Sequence, residues 1–274
     1  MNYENAKPLL RITNLKQYFP LKRGLSVKAN DGITLDIYQG EVFGLVGESG
    51  CGKSTLGRTI LQLYKQTDGR TMYYGSNLLD MAPRYAFQTV RKLEKFKAHM
   101  LSAAEKAEKE EQAYQAMSEK EKIHAKNQRD HVLKEAKDAL LNVTMLVGGL
   151  IVAEDLTPVK TAYLALYNAA AKLRDEKNLR ARYQLDKDSR AYQKKDTAKV
   201  DAKLAQCDES IKAAQAELDQ RKQAVAQLHE QFKNHADYDK YQCNYDEGVD
   251  LARLVYNEIR MLRRDLQLIF QDPY

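Results

Sequence analysis

The sequence predicts an α/β fold of the P-loop type, incomplete at its end and interrupted by a long all-α insertion. Three observations lead to this prediction. A nearly continuous apolar stretch, EVFGLVG, runs directly into a glycine-rich loop and then into an amphipathic helix. A segment rich in Ala, Glu, Lys, Gln and Leu follows, with almost no helix-breaking residues. A second apolar stretch, LQLIF, then predicts a strand close to the end of the sequence.

The first part of the chain alternates strand patterns with turns. LLRITNL and ITLDIY alternate apolar and polar residues, RTMYYG follows the Asp68-Gly69 turn, and EVFGLVG is typical of a strand buried inside a mostly parallel sheet. Lys53–Tyr64 is predicted as the helix that follows. Its inward stripe comprises Leu56, Ile60, Leu61 and Leu63.

Long helices are predicted for the middle of the chain. We therefore divide the sequence into 1–83, the start of an α/β domain, 84–260, a helical insertion, and 261–274, a strand returning to that domain. Gly148-Gly149 should end one helix, and Thr157-Pro158 should begin another that runs towards Tyr183.

Two stretches of the insertion carry coiled-coil seams, and we expect these two arms to pack antiparallel and bury each other's stripes. The first seam comprises Leu93, Phe96, Met100, Ala103, Ala107, Tyr114 and Met117. The second comprises Val200, Leu204, Cys207, Ile211, Ala214, Leu218, Val225, Leu228 and Phe232, with Arg221 as its one charged position.

Charge and cysteine usage narrow the classes of function. The net charge of +6 divides evenly between the helical middle and the two ends, and basic residues alternate with acidic ones, so we expect no dedicated nucleic-acid site. Cys51, Cys207 and Cys243 are odd in number and widely spaced, which argues against a disulfide framework and a zinc site and favours a reducing cytoplasm.

No targeting or membrane segment is predicted. The N-terminal residues lack the apolar core of a signal peptide. The longest apolar run, residues 139–153, is shorter than the roughly 20 residues that a membrane helix needs. We interpret this run as a buried helix end followed by a turn.

The stretch GESGCGKST has the spacing of a phosphate-binding loop. Its glycines allow successive backbone N–H groups to point at phosphate oxygens, and the following helix adds its positive N-terminal dipole. Lys53 is predicted to bridge the β- and γ-phosphates of ATP and the Ser54 hydroxyl to ligate Mg²⁺. The predicted binding residues are Gly47, Glu48, Ser49, Gly50, Cys51, Gly52, Lys53, Ser54 and Thr55.

The residues around this loop resemble a known family. NLKQYFPLKRG, DGITLDIYQGE, GLVGESGCGKSTLGRTIL and LQLIFQDPY resemble, in this order, the first half of the ATP-binding subunits of ABC importers for oligopeptides and dipeptides. The resemblance covers about 100 residues at the two ends of the chain. Its most specific element is GESGCGKSTLGRTI together with IFQDP, since other ABC ATPases vary at Glu48, Cys51, Gly57 and Arg58.

The resemblance implies further roles and partners. Phe19, or less favourably its neighbour Tyr18, would stack on adenine, with packing at a strand end as the alternative interpretation of Phe19. Gln271 would reach Mg²⁺ and couple the nucleotide state to the membrane subunits. The implied partners are permease subunits, a second ATP-binding subunit in a homo- or heterodimer and, indirectly, a substrate-binding protein. The implied location is the cytoplasmic face of the cell membrane, where ATP hydrolysis would drive peptide uptake.

The sequence also departs from the family. It has no LSGGQ-like signature loop and no catalytic Glu after an apolar strand ending in Asp, and its five histidines all lie in the helical middle. We therefore expect a fragment that binds ATP but does not hydrolyse it alone. The insertion is unusual for the family, and the partner of its helical arm is unknown. The alternatives are an ABC-type ATPase of the SMC or DNA-repair kind, and a non-catalytic interaction protein that retains a relic nucleotide site.

Overall fold

The computed structural model describes residues 6–22 and 25–269. The chain divides into two compact units. One contains the residues up to Tyr85 together with those from Glu247 onward, and the other is Ala86–Asp246. The predicted coupling residue Gln271 lies outside the described residues.

The first unit contains a four-stranded sheet. Its strands are β1 (Pro8–Pro20), β2 (Ser26–Tyr38), β3 (Asp68–Tyr73) and β4 (Val249–Asp250). They lie in the order β2-β1-β3-β4, and every neighbouring pair is antiparallel. The strands predicted at LLRITNL, ITLDIY and RTMYYG are therefore confirmed.

The predicted parallel arrangement is wrong for the described residues. EVFGLVG forms no strand, and the side chains of Val42 and Val46 are 98% and 100% exposed. Residues 266–269 of LQLIF also form no strand, and Ile269 is 92% exposed. A buried parallel strand needs neighbours that pair with its backbone and layers that cover both faces. Neither segment has these neighbours in the part of the chain that the structure describes.

The sheet is covered by short helices. α1 (Lys53–Ile60) lies against β1 and β2 and contributes the buried Leu56 and Ile60 to a core that includes Ile12 and Leu15. The predicted helix continues to Tyr64, but α1 ends at Ile60. Gln62 has a φ of +55°, and Leu63 is 42% exposed, so the last part of the predicted stripe is not inward.

The helices after β3 are α2 (Leu78–Met81) and α3 (Arg84–Arg91). The backbone N–H of Leu78 donates to the carbonyl of Glu247 at 2.8 Å, and the N–H of Arg84 donates to Glu258 Oε1 at 2.7 Å. These bonds hold the start of α2 and α3 to the segment that returns from the helical unit.

The returning segment comprises β4, a 3₁₀ turn (Leu251–Arg253) and α9 (Tyr256–Leu262). β4 pairs with β3 through Met72↔Asp250 and Tyr73↔Val249. The helical insertion is predicted to end at residue 260, whereas residues 247–262 belong to the unit that contains the sheet.

The second unit consists of two helical hairpins and a short closing helix. α4 (Leu93–Ala116) pairs with α5 (Glu119–Val147), and α6 (Thr157–Tyr192) pairs with α7 (Ala198–Phe232). α8 (Tyr238–Gln242) packs on the 3₁₀ turn Gly148–Val152 that follows α5.

The two predicted seams are largely buried, but their partners differ from the prediction. The expectation that the two arms bury each other's stripes is wrong, because α4 packs on α5 and α7 packs on α6. The links of a few residues within each hairpin favour pairing of consecutive helices, since a short loop costs little entropy to close. The buried seam residues are Leu93, Met100, Ala103, Ala107, Val200, Leu204, Cys207, Ala214, Leu218 and Val225. A true coiled-coil supercoil stays a prediction.

The apolar run 139–153 forms the end of α5 and the 3₁₀ turn after it, and most of its residues are buried. The interpretation as a buried helix end and turn is confirmed. α5 stops at Val147, and Gly148, with a φ of +54°, changes the chain direction as predicted. Among residues 6–22 and 25–269, no helix combines the length and the apolar character required to cross a bilayer.

Candidate nucleotide-binding site

The glycine-rich loop leads from the exposed segment after β2 into the first turn of α1. Gly47 and Glu48 lie in irregular backbone, Ser49-Gly50 forms a turn, Cys51-Gly52 forms a bend, and Lys53 begins α1. The N–H of Leu56 donates to the carbonyl of Gly52 at 2.8 Å, so the helical hydrogen bonding begins at the last glycine of the loop. This is the loop-to-helix transition that a phosphate-binding loop requires.

Two glycines of the loop have left-handed backbone conformations. Gly50 has a φ of +81° and Gly52 a φ of +95°, values that side chains strongly disfavour. A Cβ on Gly52 would lie 2.4 Å from the carbonyl oxygen of Ala29. Because that oxygen belongs to the backbone of β2, only glycine fits where the loop meets the sheet.

The Lys53 side chain folds back over the loop. Its ammonium donates to the carbonyl of Gly47 at 2.7 Å and to that of Glu48 at 2.5 Å, and it lies 3.4 Å from Cys51 Sγ. The positive charge is thus held against the loop by backbone acceptors. An anion bound there would compete with these carbonyls for the ammonium.

Ser54 and Thr55 lie in the first turn of α1, with Ser54 exposed and Thr55 half-buried. Backbone N–H groups of a first helical turn have no carbonyl partner within the helix, and the helix dipole places positive potential there. The loop amides, the ammonium and the Ser54 hydroxyl therefore share one short stretch of chain. This donor set suits the phosphates and the hard cation of a metal–nucleotide complex.

Asn30 is a supporting residue that the sequence analysis missed. Its Nδ2 donates to the carbonyl of Gly52 at 3.3 Å, and the side chain is buried. Asn30 pairs with Gln17 across β1 and β2, and Gln17 is buried as well. Among the described residues, Asn30 Oδ1 and Gln17 Oε1 are buried without a hydrogen-bond partner. The Asp31-Gly32 pair is typical of a turn, but β2 continues through it with a shift in register, and Gly32 has a φ of +80°.

Phe19 is half-buried near the end of β1 and contacts Tyr64 edge-to-face, with ring centroids 5.4 Å apart and an interplanar angle of 88°. Arg58 of α1 holds Tyr64 through a 3.2 Å bond from Nη1 to the hydroxyl. Phe19 pairs with Val27 in β2, the strand whose Asn30 holds Gly52. The sheet therefore links the aromatic group to the loop.

Tyr18 is engaged in a different contact. Its hydroxyl hydrogen-bonds the Asp31 carboxylate, and this bond raises the pKa of Tyr18 to about 12 and lowers that of Asp31. The ammonium of Lys28 lies 5.3 Å from the Tyr18 ring. These contacts already occupy the Tyr18 hydroxyl and one approach to its ring.

The described residues bring the loop, Asn30 and the Phe19 strand into one unit, but they do not form the whole predicted site. Gln271 lies outside the described residues, and the apolar segment before the loop is not held in a sheet. Two observations nevertheless indicate that the loop residues fit a triphosphate. Gly52 packs where a Cβ would meet backbone, and the Lys53 ammonium lies on the loop's carbonyls.

Comparison with known proteins identifies a family and several relatives that are similar in sequence. Residues 30–146, from β2 into α5, match the family described as ABC transporter. The chain is 57% identical over 73 residues to the oligopeptide transport ATP-binding protein OppF of Bacillus subtilis, which covers 27% of this chain and 24% of that protein. It is 48% identical over 88 residues to OppF of Escherichia coli, which covers 29% of this chain and 26% of that protein.

A third relative, the dipeptide transport ATP-binding protein DppF of Escherichia coli, is 41% identical over 83 residues, with 28% of this chain and 25% of that protein covered. The chain thus spans about a quarter of the length of these curated relatives. No solved structure matches the chain. Residues 30–146 are therefore similar to the ABC transporter family, and the chain resembles the ATP-binding proteins of oligopeptide and dipeptide transport.

Proposed function

We propose that this chain binds ATP with Mg²⁺ at Gly47–Thr55 as part of the ATP-binding subunit of a peptide importer. The observation that supports this most directly is the loop itself. Lys53 lies on the carbonyls of Gly47 and Glu48, and Gly52 packs against β2 where no side chain fits. The three relatives described above are ATP-binding proteins of peptide transport by name.

In this proposal each loop residue has a distinct task. Loop amides and the first turn of α1 receive the phosphate oxygens, and the Lys53 ammonium turns from the loop carbonyls to the β- and γ-phosphates. The Ser54 hydroxyl is a ligand of Mg²⁺, which neutralises phosphate charge. Phe19 stacks on adenine with one face of its ring, and Gln271 contacts Mg²⁺ and relays the nucleotide state.

The proposed reaction is ATP hydrolysis in a dimer of ATP-binding subunits, coupled to peptide uptake through permease subunits at the inner face of the membrane. The substrate-binding protein takes part indirectly. Because the relatives are peptide-transport proteins, the DNA-repair alternative is not favoured. The sequence contains no signature loop, so this chain by itself is expected to bind ATP without turning it over.

Calorimetric titration of the full chain with ATP and Mg²⁺ tests the site. Lys53→Ala should weaken binding by about tenfold or more, since a hydrogen bond to a charged group contributes roughly 1.5–3 kcal/mol. Lys65→Ala is the matched control, because Lys65 is an exposed lysine that follows α1 in the same unit. Equal affinities of the two variants, or no binding by the parent chain, would refute the proposal.

The proposed stacking of Phe19 on adenine is tested with a separate pair of variants. Phe19→Leu should weaken ATP binding while leaving inorganic triphosphate binding unchanged, because only the base loses its aromatic neighbour. Tyr18→Phe keeps a ring next to Phe19 and serves as the control. A loss of affinity for triphosphate as well would show that Phe19 acts by supporting Tyr64 and the sheet.

A further inference from the structure

The end of the α6–α7 hairpin carries a concentration of positive charge. Residues 177–199, defined here as the hairpin end, contain eight Lys and Arg against three Asp and Glu. The chain as a whole has a net charge of only +6. Asp175, Glu176 and Asp201 lie directly outside this window, so the excess is local to the turn and the helix ends next to it.

Part of this charge is neutralised by ion pairs, two of them across the hairpin and one, Arg190 with Asp186, within α6. Arg180 lies 2.5 Å from Asp208, Lys187 lies 2.7 Å from Asp201, and Arg190 lies 3.0 Å from Asp186. The remaining five basic side chains are exposed and have no ion-pair partner within residues 6–22 and 25–269. These five are Lys177, Arg182, Lys194, Lys195 and Lys199.

Two large apolar side chains lie among these charges. Leu185 is 67% exposed and Tyr192 is 91% exposed, whereas other apolar residues of the same helix, such as Leu166 and Leu173, are buried. They are seven residues apart and so share one face of α6, together with Arg182. On the seam side, Tyr183 contacts Lys203 of α7 at 5.1 Å. The outer stripe therefore combines two apolar side chains with Arg182 and with the acidic Asp188, which lies between Leu185 and Tyr192 on the same face, so the excess of positive charge comes from the lysines around the turn.

The turn itself retains a lysine in a strained position. Lys194 has a φ of +54°, in the left-handed region that glycine or asparagine usually occupies after a helix. Its N–H donates to the carbonyl of Ala191 at 3.0 Å, which closes the end of α6. A glycine there would relieve strain, but it would remove one of the five exposed charges.

The α4–α5 hairpin offers an internal comparison. Residues 106–128 around its turn are equal in number to the α6–α7 hairpin end, and they contain five basic and five acidic residues. This turn also exposes an apolar side chain, Ile123, which is 74% exposed. The two turns therefore differ in charge excess but share an exposed apolar residue, so the basic excess is not a general property of these helices.

From this arrangement we propose that the end of the α6–α7 hairpin binds the surface of an anionic lipid membrane. Lysines and arginines attract acidic headgroups, while Leu185 and Tyr192 enter the boundary between headgroups and acyl chains. A nucleic acid would use the lysines but gain nothing from an exposed leucine. This proposal goes beyond the nucleotide site and does not depend on it.

Vesicle sedimentation of the full chain tests the proposal. Vesicles of phosphatidylcholine with about one third phosphatidylglycerol are compared with vesicles of phosphatidylcholine alone, at low and at 0.5 M salt. The chain should bind the anionic vesicles at low salt, and high salt should release most of it, because the surface potential is screened. No binding to anionic vesicles, or equal binding to neutral ones, overturns the proposal.

Charge reversal locates the contact. The double variant Lys194→Glu and Lys195→Glu should lower the partition coefficient at least about thirtyfold, since each basic residue at an anionic surface contributes about a factor of five. The matched control reverses Lys120 and Lys126, two exposed lysines of the α4–α5 hairpin, and should change it less than threefold. An equal effect of both double variants overturns the assignment to the hairpin end.

Substitution of the two exposed apolar side chains distinguishes a lipid surface from other polyanions as the partner. Leu185→Ser with Tyr192→Ser should weaken vesicle binding about tenfold, whereas Ile123→Ser should not, and all variants should keep the helical circular dichroism of the parent. Binding to a DNA duplex is measured in parallel. Tighter binding to the duplex than to anionic vesicles, or insensitivity of vesicle binding to Leu185→Ser with Tyr192→Ser, would show that lipid is not the partner.

Discussion

The guanidinium of Arg70 lies 3.5 Å from the carboxylate of Asp250, and the two side chains are only 12% and 5% exposed. Burial raises the pKa of Asp250, and the neighbouring Arg70 and Arg253 oppose that rise. Tyr85 completes the cluster, with its hydroxyl accepting the N–H of Asp250 at 3.1 Å and its ring lying 4.4 Å from the Arg253 guanidinium. This buried cluster fastens β4 to β3.

Asp250→Ala should therefore destabilise the first unit by about 3 kcal/mol, because it leaves a buried guanidinium without its carboxylate. Hydrogen exchange of the β3 amides measures the effect. The control is Asp36→Ala, which removes the exposed ion pair with Arg11 at 3.2 Å and should cost about 1 kcal/mol or less. Similar losses in both variants would contradict the view that burial makes the Asp250 pair important.

Two glycine substitutions should have opposite effects. Gly52→Ala places a Cβ 2.4 Å from the carbonyl oxygen of Ala29 in a left-handed backbone, so it should displace the loop and abolish ATP binding. Gly57→Ala lies within α1 with nothing within 4 Å of the new Cβ and should stabilise the helix by about 1 kcal/mol. Thermal melts and ATP titrations of the two variants give the comparison, and retained ATP affinity in Gly52→Ala would argue against the loop geometry.

The stability of the helical unit should depend on the protonation of His229. Its Nε2 and Nδ1 are hydrogen-bonded to the hydroxyls of Tyr163 at 3.1 Å and Tyr238 at 2.6 Å, and burial lowers its pKa below the ordinary value of 6.5. The unfolded chain therefore binds the proton more readily than the folded one. The stabilisation is complete above about pH 6.5 and is lost as the pH falls towards the lower, folded-state pKa.

Urea unfolding between pH 7.5 and 5 measures this dependence. His229→Gln should remove the part of the pH dependence of stability that comes from this histidine. His124→Gln, at an exposed position of α5, should leave the pH dependence unchanged. If the parent chain and His229→Gln lose stability in parallel on acidification, another group accounts for the slope.

Lys194→Gly should raise the melting temperature of the helical unit. A residue other than glycine in the left-handed region costs on the order of 1 kcal/mol, and the substitution removes that strain. Lys195→Gly, one position further on and without a positive φ, should instead lower the melting temperature slightly. Calorimetric melts of both variants decide between these directions, and equal shifts would mean that the backbone at Lys194 is unstrained.

The helical unit should fold by itself. A piece spanning Ala86–Asp246 is expected to give helical circular dichroism and a cooperative melt, because its seams are buried within the two hairpins. Ala214→Asp, at a fully buried seam position, should abolish the transition, whereas Ala213→Asp on the exposed face should not. A random-coil spectrum of the unsubstituted piece would disprove the prediction.

Sequence patterns identified the local elements well. Alternation located β1 and β2, and apolar spacing identified the buried residues of α4 and α7, because burial of one face leaves a period in the sequence. The turn signal before RTMYYG located β3. The glycine-rich loop was also recognisable, since its backbone conformations require glycine at fixed positions. These features depend on neighbours that are close in the chain.

Pairing between elements that are far apart in the sequence was harder to predict. The apolar content of EVFGLVG predicted a buried strand, but apolar content cannot supply the neighbouring strands, and Val42 and Val46 are exposed. The seams of α4 and α7 did not reveal that α5 and α6 are their partners, because a seam records that a face is buried and not against what. No sequence pattern pointed to Asn30, because its role depends on a hydrogen bond to Gly52, which lies 22 residues further along the chain.

The pairing of β3 with β4 also has a consequence for the order of folding. β4 can reach β3 only after the chain between them has closed a loop of more than 170 residues, which is entropically costly while that chain is disordered. Once the two hairpins have formed from local contacts, Leu78 and Glu247 need only a short approach to form their 2.8 Å bond. We therefore expect the helices to form first and the fourth strand to join the sheet last.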